Sequence, residues 1–158
     1  MIRSPLRTSP LKRDKNIQPL SRDHHHTLLL SWKIRKGFSN GVAPERIKKY
    51  ADWFYHNHAL PHFNIEEEYL FPVLGEGHDM IQRALAEHRR LKRLFTAEVE
   101  LEKNLSLLEE ELERHVRFEE RELFNEIERN ANEDQLAIIT EVHKDERFNE
   151  NTEDEFWK

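Results

Sequence analysis

The sequence predicts an all-α protein, and two features of its composition carry that prediction. The hydrophobic fraction is 37% and the charged fraction 35%, so the apolar residues must be gathered on narrow stripes. Long amphipathic helices do this, each turning one face to the core and the rest to solvent. Glycine and proline, which interrupt helices, number only 4 and 6, and neither occurs after Gly77. The second half of the chain can therefore run as almost continuous helix. At 158 residues the chain suits one domain with a core of its own.

Composition also excludes functions. With no cysteine, disulfides, iron–sulfur clusters, thiolate zinc sites and cysteine nucleophiles are ruled out. No apolar run approaches the length of a membrane span and nothing resembles a signal peptide, so a cytoplasmic location with no membrane partner is expected. The net charge of −6 argues against nucleic acid as a partner, since that binding favours a basic surface. Histidine stands out: 10 of them are far more than helix packing needs.

Residues 1–18 carry Arg3, Arg7, Lys12, Arg13 and Lys15 against Asp14 alone, with Pro5 and Pro10 between them, and read as a flexible basic arm. The folded unit is expected over 19–147. Its first helix starts near 19–21 and runs to about Lys36, ending at Gly37. Asn40-Gly41 makes a turn, and Pro44 suits the first position of a second helix that continues to Val73. Pro61 lies inside that helix and predicts a kink or break. Gly75-Glu76-Gly77 is a loop. A third helix runs from about Asp79 to Val99, and a turn is placed at 103–106, where no glycine or proline marks it. A fourth helix covers about 107–129 and a short fifth about 133–145. The last residues, 148–158, form an acidic tail whose Phe156-Trp157 end can dock on the bundle.

Two segments repeat one ten-residue pattern. His62-Phe63-Asn64-Ile65-Glu66-Glu67-Glu68-Tyr69-Leu70-Phe71 matches His115-Val116-Arg117-Phe118-Glu119-Glu120-Arg121-Glu122-Leu123-Phe124. In each, histidine and the first glutamate are one helical turn apart and point the same way, and the apolar neighbours set that face toward the core. One His-x-x-x-Glu on a helix is ordinarily a surface ion pair. Two in a matched context are another matter, because burying two glutamates without cationic partners costs several kcal/mol and metal ions supply the charge. His88, mid-way along the third helix beside Ala84, Leu85 and Leu91, is a further candidate. So is one of His24-His25-His26 in the first helix. His25, with Leu28, Leu29 and Trp32 at three, four and seven residues onward, has the better core register. His24 is close behind, and His26 points outward. One histidine from each of four helices and two carboxylates suit a pair of metal ions bridged by Glu66 and Glu119.

With these motifs in place, the chain resembles the hemerythrin-like, or HHE cation-binding, domains over about 19–145. The resemblance rests on His24-His25-His26-Thr27-Leu28-Leu29, on His62 through Glu67, on His88, and on His115 through Glu120. It implies an antiparallel up-down-up-down four-helix bundle with a short extra C-terminal helix. It implies two non-haem iron ions joined by an oxo or hydroxo bridge. His25 or His24, His62, His88 and His115 would be terminal ligands and Glu66 and Glu119 bridges. Oxygen-carrying hemerythrins have a second histidine where this chain has Lys92, and a His–Asp pair five apart where it has His115 and Glu119. The set is more similar to bacterial HHE proteins and to the iron-sensing hemerythrin-like domain of a ubiquitin-ligase subunit, which weighs against reversible oxygen carriage. The open position would take water, oxygen, peroxide or nitric oxide, or an added donor; His58, one turn before His62, is a candidate, although it reads first as a residue supporting the ligands or bordering them.

Histidine with carboxylate suits iron, with zinc and manganese as alternatives. Imidazoles bind metal only when neutral, so metal loss is expected by about pH 4. The leading functional expectation is a module that binds or senses iron, oxygen, nitric oxide or peroxide. The alternative is a di-iron oxidoreductase with slow peroxidase or nitric-oxide-reducing activity, although the Glu-x-x-His of ferritin-type enzymes is missing. A metal-free helical interaction protein is the third. His56, His78 and His143 read as an outer-face residue, a loop residue and a helix-end cation, not as site residues.

Overall fold

The computed structural model describes residues 13–144 and 146–158. Among the described residues the regular structure is helical throughout, with no strand. The helices are α1 (Gln18–Ser39), α2 (44–73), α3 (Asp79–Thr96), α4 (101–130) and α5 (Glu133–His143). Side-chain pairs run in opposite order along neighbours. Ser21 and His24 of α1 meet Glu120 and Glu119 of α4, while Arg35 meets Glu109. Likewise Glu87 of α3 meets His115 and Arg90 meets Glu111. The first four helices therefore form an antiparallel up-down-up-down bundle, and α5 packs beside it.

The breaks follow local chemistry where glycine and proline mark them. Gly41 turns the chain at φ 73°, where a side chain would be strained. Pro44 starts α2 at a position whose N–H has no helical partner anyway. The His78 side chain caps α3 by accepting from the Met80 N–H, and Asn132 with Gln135 forms a reciprocal cap on α5.

Four boundary expectations need correction. Gly37 does not end α1: it lies inside the helix, where an added Cβ would fall 2.8 Å from the Phe156 ring. Its role is close approach, not termination. Pro61 does not break α2, because a π turn at Tyr55–Ala59 widens the helix just before it, with the Leu60 N–H bonding the Tyr55 carbonyl. The third helix stops at Thr96, so Val99 is outside it, and the turn is at 97–100 rather than 103–106. Glu100 makes that turn in the left-handed region, φ 48°, without a glycine to signal it. The fifth helix ends at His143, and Asp145 lies outside the described residues.

Arg3, Arg7 and Lys12 of the basic arm also lie outside them. Arg13, at the start of the described chain, is clamped by Asn125, Glu128 and the Glu120 carbonyl. At the other terminus Phe156 and Trp157 are buried against Ile34, Ile47 and Tyr50. Lys33 is held there by Tyr50, Glu150 and the Trp157 face.

The apolar interior comes in two parts. One cluster, built on Leu30, Phe54, Leu91, Phe95 and Leu108, takes in the C-terminal aromatics. The other, built on Leu20, Leu70, Ile81, Phe124 and Ile127, takes in α5. A polar layer separates them. No helix among the described residues is long and apolar enough to cross a membrane.

Candidate metal centre

The polar layer is where the two repeated motifs meet. Each first glutamate opens a π turn, Glu66–Leu70 in α2 and Glu119–Leu123 in α4, and the Phe71 and Phe124 N–H groups bond back to the Glu66 and Glu119 carbonyls. The repeat is thus structural as well as sequential, with a helix widening at the same residue in both copies. Such turns often accompany functional positions.

Glu66 and Glu119 are wholly buried, and so is His88; His24, His62 and His115 are nearly so. Among the described residues two groups bring donor atoms within 4.8 Å of one another: His24, His62, Glu66 and Glu119, and Glu66, His88, His115 and Glu119. The two glutamates belong to both groups. The first half of the bundle supplies His24, His62 and Glu66 and the second half His88, His115 and Glu119, so the layer has an approximate two-fold arrangement.

His25, the favoured candidate in the first helix, is not in this layer. It is exposed, and its apolar companions Leu29 and Trp32 are 36% and 45% exposed. The inward stripe of α1 is Leu20, His24, Thr27, Ser31 and Ile34. Two of its members are small and polar, so counting apolar residues favours the wrong register by one position. His58 is buried but outside both groups, with Nε2 3.4 Å from the Asp23 carbonyl. Lys92 faces Glu67 at 3.8 Å and not the centre. His26 stacks on Phe148, and His56 is exposed.

Four further acids hold the histidines by their outer nitrogens, and sequence reasoning did not single them out. His24 Nδ1 donates to Glu120 at 2.6 Å, His62 Nδ1 to Asp23 at 2.8 Å, His88 Nδ1 to Glu67 at 2.6 Å and His115 Nδ1 to Glu87 at 2.6 Å. A carboxylate only accepts, so each Nδ1 carries the hydrogen, and in a neutral ring the lone pair is then on Nε2, toward the centre. The signal was present. Glu67 and Glu120 are the second residues of the two Glu-Glu pairs, and Asp23 and Glu87 each precede an inward histidine, His24 and His88.

Three Nε2 atoms (His62, His88, His115), both oxygens of Glu66 and Oε2 of Glu119 are buried without a hydrogen-bond partner. His62 Nε2 and Glu66 Oε2 approach to 3.0 Å, as do His88 Nε2 and Glu66 Oε1, yet at angles that make no hydrogen bond; their lone pairs converge on shared space. Buried polar atoms are normally satisfied. Six unsatisfied atoms of ligand type in one layer fit a metal.

Electrostatics agrees. Burial alone would drive protons off His24 and His88, but the Glu119 and Glu66 carboxylates outweigh it and raise both pKa values well above the usual imidazole range. Burial likewise opposes protonation of His62, yet Glu66 and Asp23 lift it to about 9. Burial would raise the Glu119 pKa, and the histidines, His115 foremost, hold it well below the carboxylate range. The layer demands positive charge, which protons supply when cations do not. His/carboxylate donors facing each other in this way are a candidate metal centre.

The family model described as the hemerythrin HHE cation-binding domain matches residues 16–97, a stretch that holds α1 to α3 with His24, His62, Glu66 and His88. Comparisons with curated proteins and with solved structures give no match.

Proposed function

The chain belongs to the hemerythrin HHE cation-binding domain family, and from that premise we propose that it carries two non-haem iron ions and uses them to bind or sense a small molecule: oxygen, nitric oxide or peroxide. His24 and His62 would hold one ion and His88 and His115 the other, with Glu66 and Glu119 shared. The single observation that carries this reading is the convergence of donor atoms from four helices within 4.8 Å, in two groups with common glutamates.

The residues present do the work of binding and exclusion. The four outer carboxylates fix the imidazole rings and keep them in the tautomer that presents Nε2. Phe63 stacks on His88 at 4.2 Å and Phe124 on His24 at 5.2 Å, so the layer is closed above and below by aromatic rings. Surface clefts nevertheless reach the histidine edges, one of about 370 Å³ at His115 and one of about 270 Å³ at His24, room for a diatomic molecule or peroxide to approach. When bound, a ferrous pair supplies electrons and open coordination positions to such a ligand.

The test is an aerobic absorption spectrum of the purified chain with metal quantitation, repeated after azide, peroxide or nitric oxide. Two equivalents of iron and charge-transfer bands that change with added ligand are expected. A folded chain without metal, or a spectrum indifferent to all three ligands, would contradict the reading.

A further inference from the structure

The approximate two-fold arrangement of the layer is broken most plainly at Asp23. Asp23 Oδ2 accepts not only from His62 Nδ1 but also from His143 Nε2, at 2.7 Å. His143 is the last residue of α5 and is buried. Among the described residues no other outer carboxylate has a second imidazole; Glu87, the counterpart of Asp23, pairs instead with the half-exposed Arg83.

The two ends of the layer differ in the same sense throughout. The side chains of Asp23 and Glu120, which serve His62 and His24, are 8% and 12% exposed. Those of Glu67 and Glu87, which serve His88 and His115, are 31% and 28% exposed. The Glu120 carboxylate is pinned further by Ser21 and Arg13, whereas among the described residues the cation that Glu67 faces is the part-exposed Lys92. A hydrogen bond shielded from water holds its geometry more firmly than one that water can replace, and a ligand held in place re-forms a broken metal bond faster than one free to turn away.

Building on the metal reading above, we propose that His143 is a positioning residue for the centre: by holding Asp23 it fixes the His62 imidazole and makes the His24/His62 ion the more slowly released of the two. A helix outside the four-helix unit thereby sets the order in which the ions leave.

The experiment loads the full chain with ferrous iron under anaerobic conditions, counts the bound metal, and follows its release to a chromogenic chelator. The wild-type chain releases one equivalent in a fast phase and one in a slow phase. His143→Phe keeps a ring but no N–H, and speeds the slow phase about tenfold, the lower end of what losing such a partner costs, with the fast phase unchanged. His143→Gln restores an N–H within reach of Asp23 and recovers most of the slow phase. Glu87→Gln speeds the fast phase alone. Single-phase release from the wild type, or two phases that His143→Phe leaves alone or accelerates equally, overturns the inference. Should the Phe variant not fold, the Gln variant decides: a slow phase lost altogether despite the restored donor also overturns it. A wild-type chain that takes up no iron overturns the metal reading and this inference with it.

Discussion

Glu119 Oε1 lies 2.8 Å from His24 Nε2, and Oε2 lies 3.2 Å from His115 Nε2 and 3.8 Å from His88 Nε2. One carboxylate therefore touches three of the four imidazoles, so its charge matters more than its shape. Glu119→Gln keeps the volume and removes the charge. Bound iron is expected to fall from two equivalents to one or none while circular dichroism shows an unchanged helical fold; full iron content in that variant would deny Glu119 its bridging role. Two histidines predict the pH behaviour of the metal-free chain in opposite directions. Burial, little opposed, lowers His58 to about 4, so the stability it contributes is present above the unfolded value near 6.5 and is lost as pH falls through about 4. His62, raised to about 9, contributes stability that is present below 6.5 and is lost as pH rises through about 9. Thermal melts of the chelated protein should thus be highest near neutrality and fall on both sides. His58→Phe, filling the space between Phe54 and Phe148, should flatten the acid side only; an unchanged acid limb would show that His58 is not its cause.

Helix boundaries were legible where a residue type enforces them and obscure where packing does. Gly41 and Pro44 mark a turn because their backbones suit nothing else there. Gly37 looks the same in sequence but exists so that Phe156 can lie against the helix. Gly37→Ala should therefore cost about 1–3 kcal/mol through crowding, against the gain expected of alanine inside a helix, and Phe156→Ala about 3 kcal/mol through the cavity it leaves. Denaturant unfolding measures both. A stabilised Gly37→Ala would return that glycine to its role as a mere helix interruption. Glu100 is the converse case, a left-handed residue without the glycine that signals one. Glu100→Gly relieves a conformation that costs a side-chain-bearing residue about 1 kcal/mol, and the unfolding free energy should rise by a comparable amount. The π turns at Glu66 and Glu119 were not readable, because no residue type marks a π turn as glycine or proline marks a break. The matching of the two motifs was the visible trace of their matching backbones.

Across the whole molecule, two apolar clusters enclose a layer holding six carboxylates and four imidazoles. The pattern His-x-x-x-Glu made the inner half of that layer legible, because spacing of one turn and apolar neighbours identify a buried polar face. The outer half was hidden: Asp23, Glu67, Glu87 and Glu120 look like ordinary surface acids until the antiparallel packing sets them against a neighbour's histidine. His143 was hidden for the same reason, its partner being 120 residues away in sequence. A layer so rich in buried polar groups costs stability unless cations complete it. The most direct measurement is the iron content of the full chain, purified from iron-replete cells, beside that of a Glu66→Ala/Glu119→Ala double variant. Two equivalents in the first and none in the second are predicted; a folded wild-type chain without metal, or a double variant that keeps both ions, would contradict the account.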